Sequence, residues 1–224
     1  MKLVLALWDA DQQALLADDL RRALREAGAT RLQVNLDDDD IPDSVLRLEH
    51  FDETLTSVVS VWTDGSPASV VGVLRPLGTT IAGWQVDERQ PLVPPDVPDG
   101  QRTDALAQVA FLRRPDALPY DDWLAHWQGP HTQTAIETQA TFGYIQNRVT
   151  AKLTDDSPDV DAIVEELFPT AAMHDIHEYY GSGGDNMELD LRLIRLMESV
   201  AAMGADHDLD VVPTSRFTFD LGDA

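Results

Sequence analysis

The 224-residue sequence has no cysteine, which removes disulfides, thiolate metal sites and thiol nucleophiles together. Lysine is nearly absent too, Lys2 and Lys152 being the only two. The 16 Lys and Arg residues stand against 40 Asp and Glu, a formal charge of −24. A field that negative argues against nucleic acid or an anionic membrane surface as partner, because both need basic patches. Long apolar runs are missing as well. The stretch Leu3 to Trp8 stops at Asp9, too short for a secretory h-region, and no segment approaches the roughly 18 apolar residues of a membrane span. These absences predict a cytoplasmic protein with neither nucleic acid nor membrane as partner.

With 43 % hydrophobic and 25 % charged residues, the chain has the composition of a globular protein. Pro91, Pro94, Pro95, Pro98 and Gly100 crowd a stretch without hydrophobic period, an extended linker over residues 91–103. It separates a half at 1–90 from a half at 104–224. Each half opens with an apolar strand, Lys2–Trp8 and Leu106–Arg114. A helix follows, carrying Leu16, Leu20, Leu24 and Ala27 in the first half and Trp123 and Trp127 in the second. The next strands are Arg31–Leu36 and Phe142–Thr150, then Val58–Trp62 and Ile163–Phe168. Helical stretches Ser66–Leu77 and Thr170–Tyr180 come next, and the last strands are Thr80–Asp87 and Ser215–Leu221. The second half adds a helix at 185–203, with Asp185 and Glu188 at capping-box spacing and Leu191, Ile194, Met197 and Ala201 as its expected buried stripe.

The order β-α-β-β-α-β, twice, predicts an α+β fold of two ferredoxin-like halves. Helices cover one face of each four-stranded sheet, so the other faces are expected to pack sheet to sheet around a barrel-like cavity. Such an internal pseudo-dimer needs no partner chain, although a homodimer remains compatible with it.

Several segments of the second half resemble a known family. Arg113-Arg114-Pro115, Trp123-Leu124-Ala125-His126-Trp127 with His131, and Gly143-Tyr144-Ile145-Gln146-Asn147 are similar to the EthD-like branch of the dimeric α/β-barrel superfamily. Ile163 to Pro169 and Val211-Val212-Pro213-Thr214-Ser215 fit the same pattern, so the likeness covers residues 104–221. It reaches the first half faintly, through Gln33 against Gln146 and Val58-Val59-Ser60 against Ile163-Val164-Glu165. The resemblance implies a barrel, normally made by two chains, formed here within one. It also implies oxidoreductase-type chemistry without a bound cofactor, among relatives that include monooxygenases, cyclases, isomerases and some haem enzymes. The first half has no counterpart of His131, and Ser60 and Val61 replace Glu165 and Glu166, so one working site is expected rather than two.

His131 follows Gly129-Pro130, a pair expected to break or kink its helix. It is a candidate general acid or base on a phenol, enol or α-proton; hydrogen bonding of the broken turn is the other reading. Strand parity places Tyr144 and Gln146 on one face, expected toward the facing sheet with Gln108, Ala110 and Leu112, while Val109 and Phe111 meet the helices. Tyr144 and Gln146 would orient a ligand oxygen, or bond each other. Gln108, Leu112 and Trp127 are expected to complete the ligand-binding surface. Glu165 and Glu166 point to opposite faces, so one of them lines the cavity and sets the state of His131, or forms a salt bridge to an arginine.

Other features carry less chemistry. His174 and His177 have i, i+3 spacing but no zinc-signature flanks, and no metal is expected. His126 is expected at the surface. The Asp37–Asp40 run lacks an EF-hand pattern, and Gly181 to Gly184 is expected to be a flexible connection. Rossmann, Walker and Gly-x-Ser-x-Gly patterns are absent. No cofactor is expected, with haem left open because a single His ligand leaves no signature. The expected ligand is a neutral, largely apolar small molecule, turned over by an oxidoreductase, by a cyclase or isomerase, or simply held by a carrier.

Overall fold

Alternation within the first strand decides which way the sheet faces. In β1 (Lys2–Trp8), Leu3, Leu5 and Leu7 pack with Leu15, Leu20 and Leu24 of the following helices. Val4, Ala6 and Trp8 instead join Trp84, Phe111, Ile163 and Val212, strand residues of both halves. The first set therefore faces the helices and the second faces a lumen shared by the two halves.

In this computed structural model, described for residues 1–42 and 45–222, the first half continues with α1 (Gln12–Leu15), α2 (Asp18–Glu26), β2 (Ala29–Leu36), β3 (Ser57–Thr63), α3 (Pro67–Leu74) and β4 (Thr80–Leu92). The second half contains β5 (Leu106–Leu112), α4 (Tyr120–His126), α5 (Thr132–Thr138), β6 (Gly143–Lys152), β7 (Ala162–Phe168), α6 (Ile176–Tyr180), α7 (Asn186–Ala202) and β8 (Asp210–Asp220). All strand pairs are antiparallel and the sheet closes in the order β1-β3-β2-β8-β5-β7-β6-β4. Read within each half, the order is β4-β1-β3-β2 and β8-β5-β7-β6, the same ferredoxin-type arrangement twice.

The inner faces of the two halves pack together across the lumen, and the sheets also join at their edges, which the sequence does not foretell. They meet edge to edge, β2 on β8 from Arg31↔Asp220 to Leu36↔Ser215, and β4 on β6 from Trp84↔Lys152 to Leu92↔Tyr144. Four edge strands that would each expose unpaired backbone groups are satisfied by this closure. β4 runs five residues beyond its expected end and takes in Pro91 and Leu92, so the linker begins as a strand.

The lumen is filled rather than hollow. One part is the apolar cluster of Trp8, Trp84, Phe111 and their neighbours. The other is polar. Glu165 accepts hydrogen bonds from Gln33 Nε2 (3.0 and 2.9 Å) and Asn35 Nδ2 (3.0 Å). Its Oε1 lies 3.1 Å from Arg216 Nε, at an angle too oblique for a hydrogen bond. Arg216 Nη2 donates to Gln33 Oε1 at 3.0 Å and Asn35 Nδ2 to Thr214 Oγ1 at 3.0 Å. Gln33 therefore points inward, like Ile145 beside Glu165, whereas Gln146 points outward. The pairing of Gln33 with Gln146 is thus off by one residue, which in a strand means the opposite face.

Helix α7 also differs from expectation. Leu191, Ile194 and Met197 are 58, 56 and 50 % exposed, while Leu189 and Leu196 are buried and Val200 and Met203 pack beside Leu196. Both faces of this helix are apolar, so its period is correct and its phase is not fixed by hydrophobicity alone. Among the described residues, no helix is long and apolar enough to cross a membrane.

Candidate active site

The parity that fills the lumen also moves the candidate site. Because Val109, Phe111 and Ile163 face inward, Gln108, Ala110, Leu112, Tyr144, Val164 and Glu166 must face the helices. The expected orientation of Tyr144, Gln146, Gln108 and Leu112 is therefore reversed, and the chemistry lies outside the barrel, under α5, α6 and α7. Here Gln108, Ala110, Leu112, His131, Gln139, Tyr144, Val164 and Glu166 line a cavity of about 390 Å³. Tyr179, Tyr180, Leu196, Val200 and Met203 come from the helical side, and Leu46 and Leu48 from the segment between β2 and β3. That segment is held by a two-way bridge from Leu48 to Val211 (3.1 and 2.8 Å).

The same surface of the first half is closed. Val59 and Val61 of β3, with Leu32 and Val34 of β2, pack against Leu15, Leu20, Leu24, Val70 and Leu74. Val61 occupies the place that Glu166 holds in the second half, so the valine is part of a packed core.

His131 reaches the cavity through an unusual turn. The helix does not break at Gly129-Pro130. It continues through one π-turn, Trp127 to His131, between α4 and α5. Proline removes a donor and pushes away the carbonyl a turn earlier, and a wider turn absorbs both effects. Thr132 Oγ1 donates to the Trp127 carbonyl at 2.7 Å and accepts from Gln146 Nε2 at 2.9 Å. Arg89 Nη1 contacts Gln146 Oε1 at 3.4 Å. Gln146 thus braces the turn from behind the cavity wall. Trp127, fully buried and stacked on Trp123 at 5.4 Å, does the same from its own side. Neither residue lines the cavity, which corrects their expected role as ligand contacts. Thr132→Val should cost about 1–3 kcal/mol, because the buried groups it leaves lose their partner. Urea unfolding would measure this loss.

Gln108 is likewise committed. Its Oε1 accepts from Tyr179 Oη at 2.6 Å and its Nε2 donates to the Leu46 carbonyl at 3.2 Å. Gln139 Nε2 donates to the same Tyr179 oxygen at 3.4 Å. Gln108 lines the cavity and ties its floor to α6 and to the Leu46 segment.

Glu166 is the group left over. Strand register sets it directly between Gln108 of β5 and Tyr144 of β6. Among the described residues, its buried Oε1 has no hydrogen-bond partner. Burial pushes its carboxyl up to about 8, so at neutral pH most of it carries a proton. The Tyr144 hydroxyl is pushed up by burial and then by the Glu166 charge, and stays protonated. Tyr180 moves in the same direction for the same two reasons. Burial, aided by His126, lowers His131 to about 4, so its imidazole is neutral near pH 7. Its Nδ1 lies 3.1 Å from Ser199 Oγ of α7. Glu165, on the opposite face, forms the ion pair with Arg216 in the lumen and does not reach this site.

Sequence reasoning missed Tyr179, Tyr180, Gln139, Leu46 and Leu48. The two tyrosines had a signal in the aromatic pair closing the helix before Gly181, where α6 ends in a left-handed glycine at φ 64°. Nothing local marked Leu46 and Leu48, which belong to the other half. Among the described residues, no group of three or more His, Asp or Glu side chains is placed to hold a metal ion. His177 Nδ1 instead lies 2.6 Å from Ser182 Oγ.

Comparison with solved structures places this architecture. The chain is similar to a crystal structure described as an anthrone oxidase-like protein, with TM-score 0.55, 11 % identity, and coverage of 99 % of this chain and 94 % of that one. It is also similar to a putative monooxygenase from Lactobacillus acidophilus NCFM, with TM-score 0.50, 11 % identity, and coverage of 99 and 96 %. The likeness is one of overall fold, spanning nearly the whole of each chain. No family model and no curated protein matches the sequence. The EthD branch is therefore not supported beyond the resemblance itself, and at such low identity the likeness extends to the fold alone.

Proposed function

We propose that the second-half cavity binds a largely apolar organic molecule carrying a carbonyl or phenolic oxygen, and oxidises it with dioxygen after removal of a proton from carbon. The observation that carries this reading is the buried Glu166 carboxyl, without a hydrogen-bond partner among the described residues and set beside Tyr144 in a largely apolar cavity whose other carboxylates, Glu49, Asp206 and Asp208, are exposed. A carboxylate there is poorly solvated and hence a strong base. The neighbouring proteins described as anthrone oxidase-like and as a monooxygenase are consistent with this class of chemistry.

Glu166 takes a proton from the methylene carbon next to the carbonyl, and Tyr144 donates a hydrogen bond to the resulting enolate oxygen. The carbanion passes its electrons to dioxygen and a carbon–oxygen bond forms, giving a peroxide. Removal of the second hydrogen from that carbon breaks the O–O bond. The methylene becomes a carbonyl, and the other oxygen leaves as water with the two protons. Neutral His131 accepts or donates a hydrogen bond at the cavity wall. The proposal includes no resident cofactor, and a Soret band in the purified protein would overturn that part.

The test is oxygen uptake with a panel of aromatic ketones bearing an activated methylene. Because the base form of Glu166 is required, kcat/KM should rise with pH and level off above about 8. Glu166→Gln should lose both the activity and the pH dependence. Turnover without oxygen uptake would instead make the protein a cyclase or isomerase, and binding without turnover a carrier.

A further inference from the structure

A second cavity, of about 410 Å³, abuts the first. Leu46, Tyr179 and Tyr180 line both, so the partition between them is one layer of side chains thick. Beyond it the interior wall is Val45, Ala172 and Met173, all buried, with Ile176 at the rim. The polar members, His174 and Asp175, lie at the exposed edge, where Asp175 caps α6 by accepting from His177 N.

The three partition residues are not equally fixed. Tyr179 stacks on Phe168 at 4.2 Å and donates its hydroxyl proton to Gln108. Leu46 is tied by its backbone carbonyl to Gln108, while the residue is 51 % exposed. A leucine side chain held in this way can change rotamer without breaking any hydrogen bond. Turning it aside would join the two cavities.

We propose that the second cavity is an apolar subsite of the same binding site. It receives the alkyl substituent of a ligand whose oxygen end lies at Glu166, and Leu46 sets whether that substituent can enter. This rests on the reading of the first cavity given above. The interior wall of the subsite offers only apolar side chains and tyrosine rings, so an ionic or strongly hydrated substituent would lose its water there without replacement.

The probes are 4-methyl-, 4-propyl-, 4-pentyl- and 4-heptylphenol, titrated calorimetrically into the whole protein. Once the chain passes Leu46, each added methylene should tighten Kd by about fourfold. Ala172→Phe, which fills the subsite, should leave 4-methylphenol within about twofold and weaken 4-heptylphenol at least about tenfold. Ile176→Trp changes an exposed rim position, and carries the same test should the larger residue at 172 unfold the protein; it should weaken 4-heptylphenol about threefold. The subsite is overturned when 4-methylphenol binds but longer chains bind no tighter, or when neither variant alters the gain with length. Failure of every phenol, 4-methylphenol included, overturns the first-cavity reading and the subsite with it.

Discussion

Glu166→Gln should make the protein more stable while removing the proposed proton-transfer activity. The carboxyl is raised by burial to about 8 in the folded protein, against an ordinary value of 4.5. Below 4.5 both states are protonated and the group has no effect on folding. Between 4.5 and 8 the unfolded chain gives up its proton while the native state keeps it, so native stability falls as pH rises. Above 8 the loss is complete. With the carboxyl facing a cavity rather than solid protein, we take the loss as about 2–4 kcal/mol. Glutamine does not ionise, although it buries an amide that wants partners of its own. The expected net gain near pH 8–9 is about 1–2 kcal/mol, or roughly 2–8 °C in Tm. As pH falls to 4.5 the gain should disappear and the variant should become less stable than wild type, by the cost of the buried amide, about 1–2 kcal/mol. A variant that melts at or below the wild-type temperature throughout pH 5–9 would show that Glu166 is not a strained buried acid. In the same variant kcat/KM should drop about 10²- to 10⁴-fold. Opposite signs for stability and activity separate a functional group from a structural one.

The order of elements was legible because each strand and helix has its own period, and the ferredoxin-type order recurs in both halves. What could not be read was which face of each sheet looks where. Ile145 and Val149 alternate with Tyr144, Gln146 and Arg148, and the usual rule that sheets bury their apolar face under helices would turn the apolar set there. In this barrel both faces are buried. The lumen takes aromatic and aliphatic residues at one end, and a polar network around Glu165 at the other. Apolarity therefore cannot choose between the faces, and an error of face exchanges every candidate at once. Helix α7 failed for the same reason. His131 lies in the cavity wall just after Gly129-Pro130, a local signal that the helix answers with a π-turn instead of a break. Contributions from Leu46 and Leu48 depend on strand closure between the halves, and no local pattern carries that information.

Glu165 and Glu166 are adjacent, and the strand pleat gives them opposite fates. Glu165→Ala should destabilise the fold by about 3–5 kcal/mol, because it leaves the Arg216 guanidinium in the lumen without its counter-charge. The side chains of this pair are 5 and 3 % exposed. Gln33 and Asn35 would lose their acceptor as well, at 2.9–3.0 Å in the native state. Arg216→Met should be comparably damaging, since it leaves the carboxylate with amide donors and only the more distant Lys2 as cation. Two methionines, Glu165→Met with Arg216→Met, should recover part of the loss, because neither charge is then stranded. The recovery should be incomplete, since Gln33 Nε2 keeps only Asn35 Oδ1 and Asn35 Nδ2 only Thr214 Oγ1 as acceptors. A double-mutant cycle in urea should therefore give a favourable coupling between the two residues. Ligand binding under the helices should survive in whatever fraction stays folded, since Glu165 is separated from that cavity by the sheet itself. Wild-type stability in Glu165→Ala would remove the structural role assigned to the polar network. Loss of ligand binding at full stability would return Glu165 to the site and reverse the assignment of faces.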